Sequence, residues 1–156
     1  MLLKASLGSG ELALRAPYIY GIYSCEFGVL YIGQTISSMG AIGRLAQHLG
    51  DGDGSTFRKR IAQVFSYDEV DLGPVEFAAY RLPNRREFTQ RVPSDFREAV
   101  ESLTQYSVIN MMNAGGLGCP VVSQVALNPL TSQHFIKMQA NYATEAIFGW
   151  ICYLLG

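Results

Sequence analysis

Between Tyr18 and Gly33 the chain reads Tyr-Ile-Tyr-Gly-Ile-Tyr-Ser-Cys-Glu-Phe-Gly-Val-Leu-Tyr-Ile-Gly. This run is dense in aromatic and β-branched residues, which suit a pleated, half-buried surface, so it reads as a β-hairpin. Glu26-Phe27-Gly28 makes a three-residue loop, with Gly28 supplying the left-handed position. That register sets Cys25 against Val29, Ser24 against Leu30 and Tyr23 against Tyr31. The two tyrosines then face each other on one side of the hairpin, while Ile22 and Ile32 point to the other. A change of one residue in the loop sends the tyrosines to opposite faces, so the turn decides which side chains meet.

The rest of the chain supplies partners for such a sheet. Gly40–Leu49 reads as a short helix capped by Ser37 or Ser38, with Ile42, Leu45 and Leu49 as its apolar stripe and Arg44 and His48 on another side. Thr56–Phe65 reads as a second helix, apolar at Phe57, Ile61, Val64 and Phe65. Val75–Leu82 reads as a third strand ended by Pro83-Asn84. A longer helix runs from 94 to about 112, started by Ser94 or Asp95, and a last one from Thr131 to Leu155 after Pro129. The order β-β-α-α-β-α-α describes a small α+β domain: a three-stranded antiparallel sheet flanked by helices, with a C-terminal helical extension. Residues 1–17 form an N-terminal extension, 18–113 the core and 114–156 a segment that packs on the core or meets another subunit.

Charge bounds the function. The 156 residues carry 12 basic and 13 acidic side chains, a net charge of -1, so any nucleic-acid binding needs a local basic surface. Nineteen of the 25 charged residues lie between 44 and 101, whereas 102–156 carry only Lys137 and Glu145. Arg58-Lys59-Arg60 and Arg85-Arg86, with Arg91 nearby, are candidate phosphate-backbone contacts, or equally a solvated surface. Cys25, Cys119 and Cys152 are odd in number and lack a C-x-x-C pairing, which argues against a disulfide framework or zinc site and fits a reducing cytoplasm. Neither a secretory signal nor a membrane span is expected, since the most apolar stretch, Ala146–Gly156, is only eleven residues long. Asp51 and Asp53 lack the spacing of a calcium loop and read as a flexible loop. His134, Phe148, Trp150 and Tyr153 read as packing residues.

Gly21-Ile22-Tyr23 and Tyr31-Ile32-Gly33, both on one hairpin, resemble the paired signature of the GIY-YIG nuclease family. Arg44 and His48 are similar to that family's first helix, in which an arginine faces the site and a histidine sometimes follows four residues on. Glu101 and Asn113, twelve apart, resemble its later glutamate and asparagine. The resemblance covers residues 18–113. Only seven residues separate the two tripeptides, fewer than in many members. Glu98 and Asn110 share the spacing of twelve; Glu101 is preferred because Asp95 and Glu98 suit a capping arrangement at the helix start and a glycine break follows Asn113.

The resemblance implies a divalent-metal-dependent endonuclease that hydrolyses DNA phosphodiester bonds. Glu101 would hold Mg²⁺ or Mn²⁺, which acts as a Lewis acid. Arg44 would contact phosphoryl oxygens in bidentate fashion, Tyr23 would be the general base, and Tyr31 and His48 would orient the water or relay its proton. Taken singly, each residue has a plainer role: a cross-strand tyrosine pair, a solvated helix face, a surface carboxylate, a helix-end asparagine, glycines that serve only the backbone. The joint pattern favours chemistry. The implied partner is nucleic acid, DNA first, reached as a homodimer or by recruitment to a separate DNA-binding protein. An RNA or branched-DNA nuclease, or a silent interaction module, are the competing readings.

Overall fold

The fold is that of a computed structural model, which describes residues 10–50, 52, 54–124 and 126–156. The expectations for Asp51 and Asp53, and for the first nine residues, lie outside the described residues. Strands β1 (Tyr18–Ser24), β2 (Val29–Thr35) and β3 (Val75–Arg81) form one antiparallel sheet in the order β2-β1-β3. Helices α1 (Gly40–Leu49) and α2 (Thr56–Phe65) follow the hairpin. A single turn, α3 (Arg86–Thr89), precedes the long helices α4 (Asp95–Ala114) and α5 (His134–Leu155). The architecture is therefore α+β, a three-stranded antiparallel sheet flanked by helices, with a C-terminal helix. Among the described residues no helix is long and apolar enough to cross a membrane.

The hairpin register differs from the sequence expectation by one residue. Ser24 pairs with Val29, Tyr23 with Leu30, Ile22 with Tyr31 and Tyr20 with Gly33. The cause is the loop: Cys25 belongs to it, and the Gly28 amide donates to the Ser24 carbonyl at 2.9 Å across a four-residue connection. Gly28 does adopt the left-handed conformation, φ 61°. One extra loop residue slides the strands by one, and because side chains alternate with period two, that slide exchanges faces. Tyr20, Ile22 and Tyr31 share one face; Tyr23 lies on the other, with Ile19, Leu30 and Ile32.

Each face has its own helical layer. Phe57 and Ile61 of α2 close over Tyr20, Ile22, Val29 and Tyr31. Val100 and Val108 of α4 and Ile147 and Ile151 of α5 close over Ile19, Leu30 and Ile32. Each fully buried aliphatic or aromatic side chain contributes about 1.5–3 kcal/mol. The expected apolar stripes of the first two helices are corrected here. Leu49, Val64 and Phe65 are exposed, and α1 buries Ala41, Gly43 and His48 instead. The physical reason is that α1 meets the sheet at the tyrosines, where a polar ring finds a partner. Phe65 stacks on Tyr67 and Phe27 outside the core.

The outer edge of β2 is covered, which removes an open pairing edge. The Leu30 amide donates to the Pro120 carbonyl (2.9 Å), the Val122 amide to the Leu30 carbonyl (2.8 Å), and Ser123 Oγ serves the amide and carbonyl of Ile32. Gln105 Nε2 of α4 also donates to the Ile32 carbonyl, at 2.9 Å. Helix α5 lies against α4, β1 and β3 through Ile136, Ala140, Ala143 and Ile147, while Tyr142 and Tyr153 remain exposed.

Gly21 is what lets α5 approach the sheet: a Cβ there would lie 2.8 Å from a ring carbon of Trp150. Gly21→Ala is expected to lift that ring and cost about 1–3 kcal/mol, as overpacking does. A lower urea midpoint and a red-shifted emission of Trp150, the single tryptophan, are the readouts.

Candidate active site

Two turns of α1 and one sheet face bring the first polar cluster together. Arg44 and His48 stand four residues apart, so both reach the sheet from one side of the helix. Tyr20 Oη lies 2.7 Å from His48 Nε2 and 3.3 Å from Arg44 Nε. Tyr31 completes the group, its ring centroid 5.1 Å from that of His48 and 6.3 Å from that of Tyr20. The Tyr20 ring crosses the strand above Gly33, where a Cβ would come within 2.4 Å of the hydroxyl oxygen. Gly33 is thus a space requirement: it lets the phenol reach α1.

The histidine tautomer follows from its partners. The Phe57 amide donates to His48 Nδ1 at 3.1 Å, so Nδ1 presents its lone pair and the proton sits on Nε2. His48 is fully buried, and burial, aided by the Arg44 charge, lowers its pKa to about 3. It is therefore neutral at pH 7 and donates Nε2–H to Tyr20. With Arg44 Nε–H also donating, the Tyr20 oxygen accepts two hydrogen bonds. Burial first, then the neighbouring Tyr31, raises the Tyr20 pKa, against which Arg44 acts in the opposite direction. Burial first, then Glu101, likewise raises that of Tyr31, with Arg44, Tyr20 and Arg60 opposing.

Helix α4 supplies the carboxylate. Arg97, Glu101 and Gln105 repeat every four residues and form a polar stripe along the edge of β2. Arg97 Nε donates to Gln34 Oε1 (2.9 Å) and Gln105 Nε2 to Glu101 Oε1 (3.1 Å). Glu101 and Tyr31 line one cavity of about 370 Å³ with Arg60, Gln105, Ser123 and Gln124. Burial, and next the Glu98 charge, push the Glu101 carboxyl up to about 8, although Arg44, Arg97 and Gln105 pull it down. Glu98 is exposed and bonds Ser94 Oγ at the helix start, away from this cavity. Among the described residues no three His, Cys, Asp or Glu side chains converge. One carboxylate beside the buried, unpartnered Gln105 Oε1 fits Mg²⁺, which keeps several waters and takes one or two protein carboxylates.

Tyr31, Arg44, His48 and Glu101 are thus brought together, and two expected site residues are not. Tyr23 lies on the opposite sheet face, half-buried beside the α4 and α5 layer, because of the register shift. Asn113 is exposed at the far end of α4, twelve residues from Glu101 or about 18 Å along the axis. Ile22 pairs with Tyr31 and Ile32 sits in the core. Of the basic residues, Arg58 holds the carbonyls of Leu49 (2.9 Å) and Val70 (2.5 Å), a structural employment. Lys59 is exposed on the same helix. Arg60 reaches Gln63 and Gln124 at the rim of the Glu101 cavity. Arg85 lies over the Phe135 ring, 4.5 Å from its centroid, and Arg86 is exposed in α3; neither lines the Glu101 cavity.

Sequence reasoning missed Tyr20, Gln105 and Arg97. A signal existed for each. Tyr20 precedes Tyr23 in the same tyrosine-rich strand, and the spacing of four places Arg97 and Gln105 on the Glu101 face of the helix. Comparison with known proteins finds no match to this chain among family models, curated proteins or solved structures.

Two outcomes test this geometry. Gly33→Ala displaces the Tyr20 ring and is expected to cost about 1–3 kcal/mol, with loss of any activity that needs its hydroxyl; an unchanged melting temperature refutes the contact. The Glu101 pKa is raised on folding, from 4.5 to about 8, so the native state binds the extra proton and stability falls as pH rises through that window. Glu101→Gln removes this loss. It is expected to raise Tm by at least about 2–4 °C above pH 8 and to leave it unchanged below pH 4.

Proposed function

We propose that this chain is a divalent-metal-dependent nuclease of the GIY-YIG kind that hydrolyses phosphodiester bonds, DNA being the leading substrate. The observation that carries the reading is the cluster at the β2 edge: Tyr20, Tyr31, Arg44, His48 and Glu101 from four separate elements. Packing alone does not call for a tyrosine oxygen with two donors near a half-buried carboxylate. The resemblance is better satisfied with Tyr18-Ile19-Tyr20 in place of Gly21-Ile22-Tyr23. Ten residues then separate the first tripeptide from Tyr31-Ile32-Gly33, closer to the family's usual spacing.

In this reading Tyr20 is the general base. Burial raises its pKa, and the Arg44 donor and charge act against that rise, toward the phenolate that takes a proton from water. His48, with Nδ1 held by the Phe57 amide, is a positioning residue that fixes the phenol. Arg44 adds a permanent positive charge; with Nε on Tyr20 and Nη1 held by Gln47 Oε1 (2.8 Å) and the Gly54 carbonyl (3.4 Å), Nη2 is the nitrogen left for a phosphoryl oxygen. Tyr31 orients the water from the cavity wall. Glu101, with Gln105 beside it, would hold Mg²⁺, which when bound supplies Lewis-acid stabilisation of the phosphate and leaving oxygen. Because Glu101 must lose its proton to hold a cation, activity rises with pH toward and past 8.

The free Cys25, Cys119 and Cys152 suit a reducing, cytoplasmic setting. Cutting both strands of a duplex calls for a second copy or a DNA-binding partner. Incubation with supercoiled plasmid, branched DNA and RNA, each with Mg²⁺, tests the reading. Tyr20→Phe, Arg44→Lys and Glu101→Gln are each expected to lower the cleavage rate at least about 100-fold, whereas Tyr23→Phe keeps wild-type activity. No metal-dependent cleavage of any substrate rules the nuclease out, and equal rates for Tyr20→Phe and wild type rule out Tyr20 as the base.

A further inference from the structure

Next to the tyrosine cluster lies a second cavity, of about 520 Å³, whose walls come from four parts of the chain. Arg15 enters from the N-terminal segment, Arg44 from α1, Arg91 from the α3–α4 connection and Arg97 from α4; Gln34 and Ser94 add polar groups. No aspartate or glutamate is among the described residues that line it. Four guanidinium groups around one opening repel one another; Glu98 and Glu101 lie near Arg97, whereas Arg15 and Arg91 have no acidic partner among the described residues and suit an anionic ligand.

The four arginines are not equivalent. Arg97 is 2% exposed and pinned: Nη1 donates to the Phe88 carbonyl at 2.8 Å and to the Gln90 carbonyl, and Nε to Gln34 Oε1. Its Nη2 has no hydrogen bond among the described residues and is not an enclosed orphan, so it remains available at the cavity wall. Arg15 and Arg91 are exposed and make no hydrogen bond or ion pair among the described residues. Tyr18 secures the segment that carries Arg15, its hydroxyl donating to the Glu11 carbonyl at 2.6 Å with that of Leu14 at 3.1 Å. Arg44 links this cavity to the tyrosine cluster, since its Nε donates to Tyr20 Oη. On α4, Arg97 of the arginine cavity and Glu101 of the smaller cavity stand one turn apart, about 5–6 Å, so the two cavities adjoin the same helix.

We infer that this cavity is a track for the sugar–phosphate backbone of the strand being cut, with Arg97, Arg91 and Arg15 holding successive phosphates beside the one that Arg44 meets. The occupant is a continuous phosphodiester strand rather than a free phosphate. A single anion would satisfy one or two of the guanidinium groups and leave the others unpaired, whereas a strand carries a regular row of charges past all of them. Of the basic clusters apparent in sequence, Arg58 is occupied by carbonyls and Arg85 lies over an aromatic ring, while Arg60 stands at the rim of the Glu101 cavity. This inference rests on the nuclease reading for the position of the cut, but binding and cutting fail separately.

The test is binding of short fluorescein-labelled DNA, single-stranded and duplex, and of RNA of the same sequence, by anisotropy in EDTA over a range of salt. Arg15→Ala and Arg91→Ala remove exposed, unpartnered side chains, so the fold is expected to persist, as circular dichroism checks. Each is expected to weaken binding about 3–10-fold and to reduce the slope of log K against log salt by roughly 0.7–0.9. Lys137→Ala, an exposed cation on α5, is the control and leaves both unchanged. Arginine-dependent slopes without cleavage by wild type keep the track and dismiss the nuclease. No binding by wild type, slopes unchanged in Arg15→Ala and Arg91→Ala, an equal change in Lys137→Ala, or competition by inorganic phosphate as effective per phosphate as the strand each overturns the inference.

Discussion

The connection Cys25–Gly28 sets everything that follows. The Gly28-to-Ser24 hydrogen bond closes a four-residue loop, and closing it there rather than one residue later puts Tyr20, Ile22 and Tyr31 on a common face. A hairpin has no intermediate register: a shift of one residue exchanges the whole set of side chains between faces. Given this closure, Tyr20 lies opposite Gly33, the one neighbour without a Cβ to obstruct its ring, and its hydroxyl arrives at α1 between His48 and Arg44. Tyr23 goes to the other layer and becomes a packing residue beside α4 and α5.

Burying this much polarity is unfavourable unless every group finds a partner. His48 is the clearest solved case, with Nδ1 accepting from Phe57 and Nε2 donating to Tyr20, which leaves neither nitrogen unmet at neutral pH. Glu101 is the unsolved one. Its carboxyl has Gln105 as a hydrogen-bond donor, yet burial still raises its pKa to about 8, and Gln105 Oε1 has no hydrogen-bond partner among the described residues. The two groups respond to pH in opposite directions. His48, depressed on folding, withdraws stability as pH falls below 6.5, while Glu101 withdraws it as pH rises above 4.5. Apolar layers on both faces of the sheet hold these groups in place, and the tension is concentrated where the chemistry is proposed.

Some arginines fasten the fold and others line a cavity, and their hydrogen-bond partners show which. Arg58 ties Leu49 to Val70, and Arg97 ties α4 to α3 and the residue that follows it through the carbonyls of Phe88 and Gln90. Arg97 does both, because a planar fork with five donors can commit some of them to the backbone and still present one to a cavity. In a chain with so few charges, four arginines line one cavity beside the proposed site, with no carboxylate among its described lining residues.

Local signals in the sequence determined the elements themselves: the bounds of α1 and α2, the three strands, the glycine turn and the α+β class all follow from periodicity and punctuation within short windows. Four residues singled out in the sequence, Tyr31, Arg44, His48 and Glu101, lie near one another in the fold. Which tyrosine joins them was not legible, because Tyr20 and Tyr23 differ only by a register that one loop hydrogen bond selects. Nor was the separation of Asn113, which requires the straightness of α4, or the convergence of Arg15, Arg91 and Arg97, which are 82 residues apart from first to last. Contacts between distant segments depend on how layers stack and where an edge is covered. Those are properties of the folded chain as a whole, and no window of neighbouring residues contains them.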